Sequence, residues 1–226
     1  MKDRYYSRHA AGLRGELGTV LPAEVLRSFH DRIAWRHAMV AVRQFVVLGL
    51  CTWGLVRLSH PLAWIPLALV QGFTVFNFTV LLHEVVHHAV FAQRRPVLDR
   101  VLGFLYAIPS GISATQFTRW HLDHHAELGS AEADPKRHHL SPKVNARWYK
   151  LLYATPVLFP IYFRAARRES ATYPGEVQRV IARERYLSTA VHLVVLAAVW
   201  FWAGTGPACR AYLVPVFFVF PVAFTL

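Results

Sequence analysis

Four apolar runs divide this sequence and leave little freedom in what it can fold into. A helix needs about 20 mostly apolar residues to cross the hydrocarbon layer of a bilayer. The runs cover about 39–56, 61–82, 187–203 and 208–226. Arg43 lies near the start of the first, where a long side chain can snorkel to the interface. Two weaker segments, 97–117 and 148–163, are interrupted by Pro109 and Gly111 and by Pro156 and Pro160. They read as interfacial or re-entrant pieces. With 54% hydrophobic and 17% charged residues, the chain is too apolar for an ordinary soluble domain. The first ~37 residues are polar and basic and lack the apolar core of a signal peptide, so insertion is expected from internal spans. Cys51 and Cys209 lie in or beside apolar stretches and suggest neither a disulfide framework nor a zinc ribbon. The expectation is one all-α membrane domain over 1–226: about four transmembrane helices, paired as two hairpins, with a helical cap over 83–186 between them.

The net charge of +12 is distributed in a way that fits topology. The tail 1–37 holds seven of the 25 Lys and Arg residues, and 83–186 holds fifteen. Arg57 and Arg210 sit in the short loops between paired runs. The positive-inside rule then puts the N-terminus and the cap on the cytoplasmic side. Topology and anionic lipid account for the charge, and no nucleic-acid role is expected. The Arg-rich, Lys-poor composition points to a bacterial inner membrane over the endoplasmic reticulum.

Eight of the 13 histidines fall between His83 and His139. The sequence His83-Glu84-Val85-Val86-His87-His88 follows directly on the second run. If that helix continues, His83 and His87 lie one turn apart on one face, and His88 points about 100° away. His121-Leu122-Asp123-His124-His125 sets His121 one turn from both His124 and His125. Imidazoles at these spacings suit iron, zinc or copper. His83-Glu84-x-x-His87 also satisfies the zinc-protease pattern, with Glu84 as general base. A catalytic zinc takes three protein ligands, however, and the surplus of imidazole favours two metals. His138 and His139 lack a preceding ligand and read as a solvated loop, and Asp134 beside Pro135 as a turn. Asn77, a polar residue inside the second run, is a candidate to help hold the site. Trp64, Phe73, Phe76 and Phe78 read mainly as core or lipid-facing aromatics.

These motifs resemble the membrane fatty acid desaturase and hydroxylase superfamily. That superfamily carries histidine boxes of the form H-x(3–4)-H, H-x(2–3)-H-H and a later H/Q-x(2–3)-H-H. His83-x3-His87 matches the first box, with Ala89-Val90-Phe91 following as in boxes of the H-E-x-x-H-H-A-F type. His121-x2-His124-His125 matches the second. The resemblance implies a metal set of His83, His87, His88, His121, His124 and His125 around two non-heme irons. Glu84 and Asp123 are then partners that orient imidazole N–H groups. It further implies O2 as co-substrate, a lipid acyl chain as substrate and an external electron donor of ferredoxin or cytochrome b5 type. The reaction is then oxidation of an unactivated C–H bond, by desaturation first and by hydroxylation of a lipid or carotenoid as the alternative. A membrane zinc protease is the other alternative. No third box occurs before Leu226, so the chain is expected to be truncated ahead of it and inactive alone.

Overall fold

The computed structural model describes residues 10–29, 31–140, 146 and 148–225. All its regular elements are helices. The first three are α1 (Ala11–Val20), α2 (Ala23–Ser28) and α3 (Ala34–Arg57). The second long helix α4 (Pro61–Val86) is followed by α5 (Pro96–Ala107), α6 (Ala114–Ala126), α7 (Pro135–Leu140), α8 (Tyr149–Leu152) and α9 (Leu158–Ser170). The long helix α10 (Gly175–Ala203) and the final helix α11 (Thr205–Thr225) complete the chain.

Helices α3, α4, α10 and α11 are each long and apolar enough to cross a membrane. Their burial differs. Half of the apolar window of α4 is buried inside the protein, against 6% for α10. α4 is thus the central post, while α10 turns residues such as Phe201 and Trp202 outward, as lipid requires.

Two close approaches lock the post. Gly72 of α4 leaves room for Val219 of α11, because a Cβ there would come within 2.3 Å of the valine side chain. In α11 the chain passes through two wide π-turns, Cys209–Leu213 and Pro215–Val219. Pro215 has no N–H for the Ala211 carbonyl four residues back, and Gln71 of α4 donates to that oxygen at 2.7 Å. A backbone acceptor freed inside an apolar layer is satisfied by a neighbouring helix.

The main core gathers Phe78, Leu81, Leu82, Val85 and Val86 of α4 with Tyr106 and Ala107 of α5, Ile112, and Ala114 at the start of α6. Burial of these side chains holds the histidine-bearing end of α4 against α6, at roughly 25 cal/mol per Å2 of apolar surface removed from water.

The structure revises several sequence boundaries. α10 begins at Gly175, a dozen residues before its apolar run, through the polar sequence GEVQRVIARERY. The 97–117 segment comprises most of α5, a turn with Gly111 at φ 67°, and the start of α6. The 148–163 segment is likewise divided between α8 and α9. His138 and His139 sit on α7, not in a loop. Among the span aromatics, Phe78 is fully buried, Phe73 is half exposed, and Trp64 packs on Leu55, Ala68 and Ala211.

Candidate metal centre

α4 does not stop where its apolar run ends. It continues to Val86, so His83 occupies the last turn and His87 caps it, its N–H donating to the His83 carbonyl at 3.1 Å. The two rings stand 4.5 Å apart. His88 then adopts φ 53°, the one positive value outside glycine among the described residues. This left-handed step ends the helix and turns the His88 side chain to Asp99, with Nδ1 2.9 Å from Oδ2.

α6 is fixed at its start. Ser113 caps it by accepting from the Gln116 N–H at 3.1 Å. Glu184 of α10 binds the same turn, accepting from Ser113 Oγ, the Thr115 N–H and Thr115 Oγ1 at 2.5, 2.9 and 2.7 Å. The register of α6 then brings His121 and His125 onto one face, ring centres 4.4 Å apart.

The two pairs meet. His83 and His121 rings lie 4.5 Å apart, and those of His87 and His125 4.8 Å. The ligand nitrogens of His83, His87, His121 and His125 all fall within 4.8 Å of one another. Nε2 of His87 faces Nε2 of His121 at 2.9 Å. Two lone pairs at that distance repel unless a proton or a cation lies between them. His121 is 6% exposed, and its Nδ1 has no hydrogen-bond partner among the described residues. Burial, and then the charges of His83 and His125, push its imidazole down to about 3. Burial also lowers His87 and His125. Each of these shifts favours the neutral ring, the form that binds a metal. The donor set fits an imidazole-bound metal such as iron.

Of the six box histidines, four converge and two stand aside. His124 turns Nδ1 to Asp134 Oδ1 at 2.7 Å. Its ring is 5.6 Å from that of His125. Asp134 is 2% exposed and also accepts from the Lys136 N–H at 2.9 Å, so it caps α7 while it orients His124. The carboxylate holds the proton on Nδ1 and leaves the Nε2 lone pair free. Glu84 does orient an imidazole, but that of His37 on α3, with Oε2 to Nδ1 2.6 Å. His37 Nε2 is in turn 3.0 Å from the Tyr106 hydroxyl. Asp123 is half-buried, and its charge, after burial and Glu169, helps hold the Tyr173 phenol above its usual range. Asn77 is half-buried in α4, and among the described residues no hydrogen bond joins it to the histidines.

A family model described as fatty acid desaturase matches residues 59–226. The chain belongs to the fatty acid desaturase family. The chain is similar to the sphingolipid delta(4)-desaturase of Drosophila melanogaster, 33% identical over 63 residues, 26% of this chain and 20% of that protein. The human sphingolipid delta(4)-desaturase is 34% identical over 59 residues, 26% of this chain and 18% of that protein. The match thus spans about a fifth of the length of these curated relatives. No solved structure matches the chain.

Beside the histidines, the chain forms an open cavity of about 820 Å3. His83 and His121 form one wall, and Phe76, Val80, Phe117, Leu158 and Ile161 supply apolar surface. Lys136, His139, Tyr149 and Tyr153 supply the polar groups. Burial lowers the Lys136 ammonium. His37, Asp99, Tyr106 and Lys136 carried no signal of their own in the sequence. Asp134 did: an Asp before Pro at the head of a helix is an N-cap pattern, although nothing local couples it to His124.

Proposed function

We propose that this desaturase oxidises an unactivated C–H bond in the acyl chain of a lipid, using O2 and two irons held by imidazole, with desaturation as the outcome. The observation that carries the reading is the apolar cavity that ends on His83 and His121. His83, His87, His121 and His125 form the core of the metal set, with His124 presented by Asp134 as a further ligand. When bound, iron supplies the O2-dependent oxidising chemistry, which no side chain here can provide. Electrons come from an external carrier of ferredoxin or cytochrome b5 type.

The chain's own residues do the positioning. Phe76, Val80, Phe117 and Ile161 exclude water and hold the methylene chain, so that one carbon rests beside the histidines. Lys136, His139 and the Tyr149 and Tyr153 hydroxyls meet the polar end of the lipid. Glu84 and His37 tie the end of α4 to α3. Membership of the fatty acid desaturase family supports this reading over the zinc protease. The names of the curated relatives make a sphingolipid the first substrate to test. The concentration of Lys and Arg in the tail and cap supports a cytoplasmic side for the N-terminus and histidines.

The test is metal analysis of the purified protein beside His121→Ala, followed by mass spectrometry of lipids after incubation with O2 and a reduced carrier. Iron bound by the wild type and lost in the variant, with a product two mass units lighter than the substrate, supports the reading. Zinc alone, or iron unaffected by the substitution, overturns it.

A further inference from the structure

A second crevice, of about 520 Å3, opens on a different face of α4 and α6 from the acyl cavity. Arg94, Arg100 and Arg119 line it. All three are exposed, and among the described residues none has a hydrogen-bond or ion-pair partner. The two acids of the crevice are already engaged. Asp99 is held by His88 at 2.9 Å, and Glu184 accepts from Ser113 and Thr115. The Arg94 and Arg100 guanidiniums therefore present positive charge with no ion-pair partner among the described residues, and Arg119, which also acts on Tyr173, adds a third.

The crevice also has an apolar floor, made by Leu82, Val85 and Val86 of α4 with Gly103. Its level in the fold is set by two helices. Leu82 to Val86 close the apolar run of α4, and Glu184 precedes the apolar run of α10 by three residues. The cleft thus sits where two spans leave the hydrocarbon layer. His88, in its left-handed conformation, turns into this crevice and not toward the other imidazoles.

We propose that this crevice binds the phosphate of an anionic membrane phospholipid, with the arginines on the phosphate and the first acyl carbons over the apolar floor. Guanidinium pairs with phosphate through parallel charge-assisted hydrogen bonds. The volume suits a headgroup, whereas an acidic protein partner would need a far broader face. The assignment rests on the membrane reading alone and is independent of the oxidation chemistry.

The test is native mass spectrometry of the detergent-extracted protein titrated with phosphatidylglycerol, with phosphatidylcholine and inorganic phosphate as separate arms. The variants are Arg94→Gln/Arg100→Gln/Arg119→Gln, the same three sites changed to Lys, and Arg57→Gln as a control elsewhere on the surface. The wild type and the control retain phosphatidylglycerol over phosphatidylcholine. The Gln variant loses about tenfold in retention for each guanidinium removed, and the Lys variant recovers part of it. All variants unfold at the wild-type temperature. Equal retention by wild type and Gln variant overturns the proposal. So does displacement of the lipid by inorganic phosphate at equal concentration, which would mark a soluble phosphate site. Unchanged lipid retention together with lost binding of an added acidic ferredoxin would overturn it in favour of a protein partner.

Discussion

Nε2 of His87 lies 2.9 Å from Nε2 of His121, although 34 residues separate them in sequence. The contact exists because α4 overruns its apolar segment by one turn and because Glu184 fixes the start of α6. A metal shared by the two boxes depends on this approach. His87→Ala or His121→Ala is therefore expected to remove bound metal. His88→Ala, whose side chain faces Asp99, is expected to leave it in place. Elemental analysis of the three purified variants checks this, and equal loss in all three would contradict the four-histidine centre.

Asp134 has two separable jobs. Ser is a good N-cap but is too short to hold the His124 ring, so Asp134→Ser is expected to preserve α7 and release the imidazole. Loss of such a carboxylate partner typically costs about 10–100-fold in metal affinity or activity. Turnover and iron titration should both fall by that order, while the melting temperature holds.

Glu184 joins α10 to the cap of α6 through three hydrogen bonds. Glu184→Ala leaves those donors unmatched in a partly buried site, at a cost of about 2–4 kcal/mol. Detergent-based thermal unfolding should show the loss. A variant as stable as wild type would mean that water replaces the carboxylate.

The buried His121 ring sets a pH dependence for the metal-stripped protein. Its folded value of about 3 lies below the unfolded value near 6.5. Between the two, the unfolded chain binds a proton that the folded chain does not. Stability is therefore fully present above about pH 6.5 and is lost as pH falls toward 3, by up to about 1.4 kcal/mol per pH unit. Unfolding of the stripped protein across that range measures the slope, and His121→Phe should reduce it, His87 and His125 keeping their smaller share.

Val80 lines the cavity beside His83 and His121 and is not one of the four converging histidines. Val80→Trp is expected to fill part of that space, raising KM for the lipid on the order of tenfold with metal content unchanged. Steady-state kinetics beside elemental analysis distinguishes this from collapse of the site.

Much of the architecture was legible in the residues alone. The four long helices fall on the four apolar runs because the requirement that creates a span is local: enough consecutive apolar side chains to cover a helix in lipid. The pairing of His83 with His87, and of His121 with His125, was legible for the same reason, since one helical turn sets it. The early start of α10 was not, because its polar first half is helical without being apolar.

The sequence by itself determined which helices can enter a membrane and which histidines share a helical face. Only the tertiary structure decided which nitrogen meets which. It turned His88 to Asp99, His124 to Asp134 and Glu84 to His37, contacts that span 11, 10 and 47 residues. Such pairings follow from how α3, α5 and α7 pack against α4 and α6. Short-range periodicity carries no information about that packing, because it is the burial of one common core that sets the distances between chain segments.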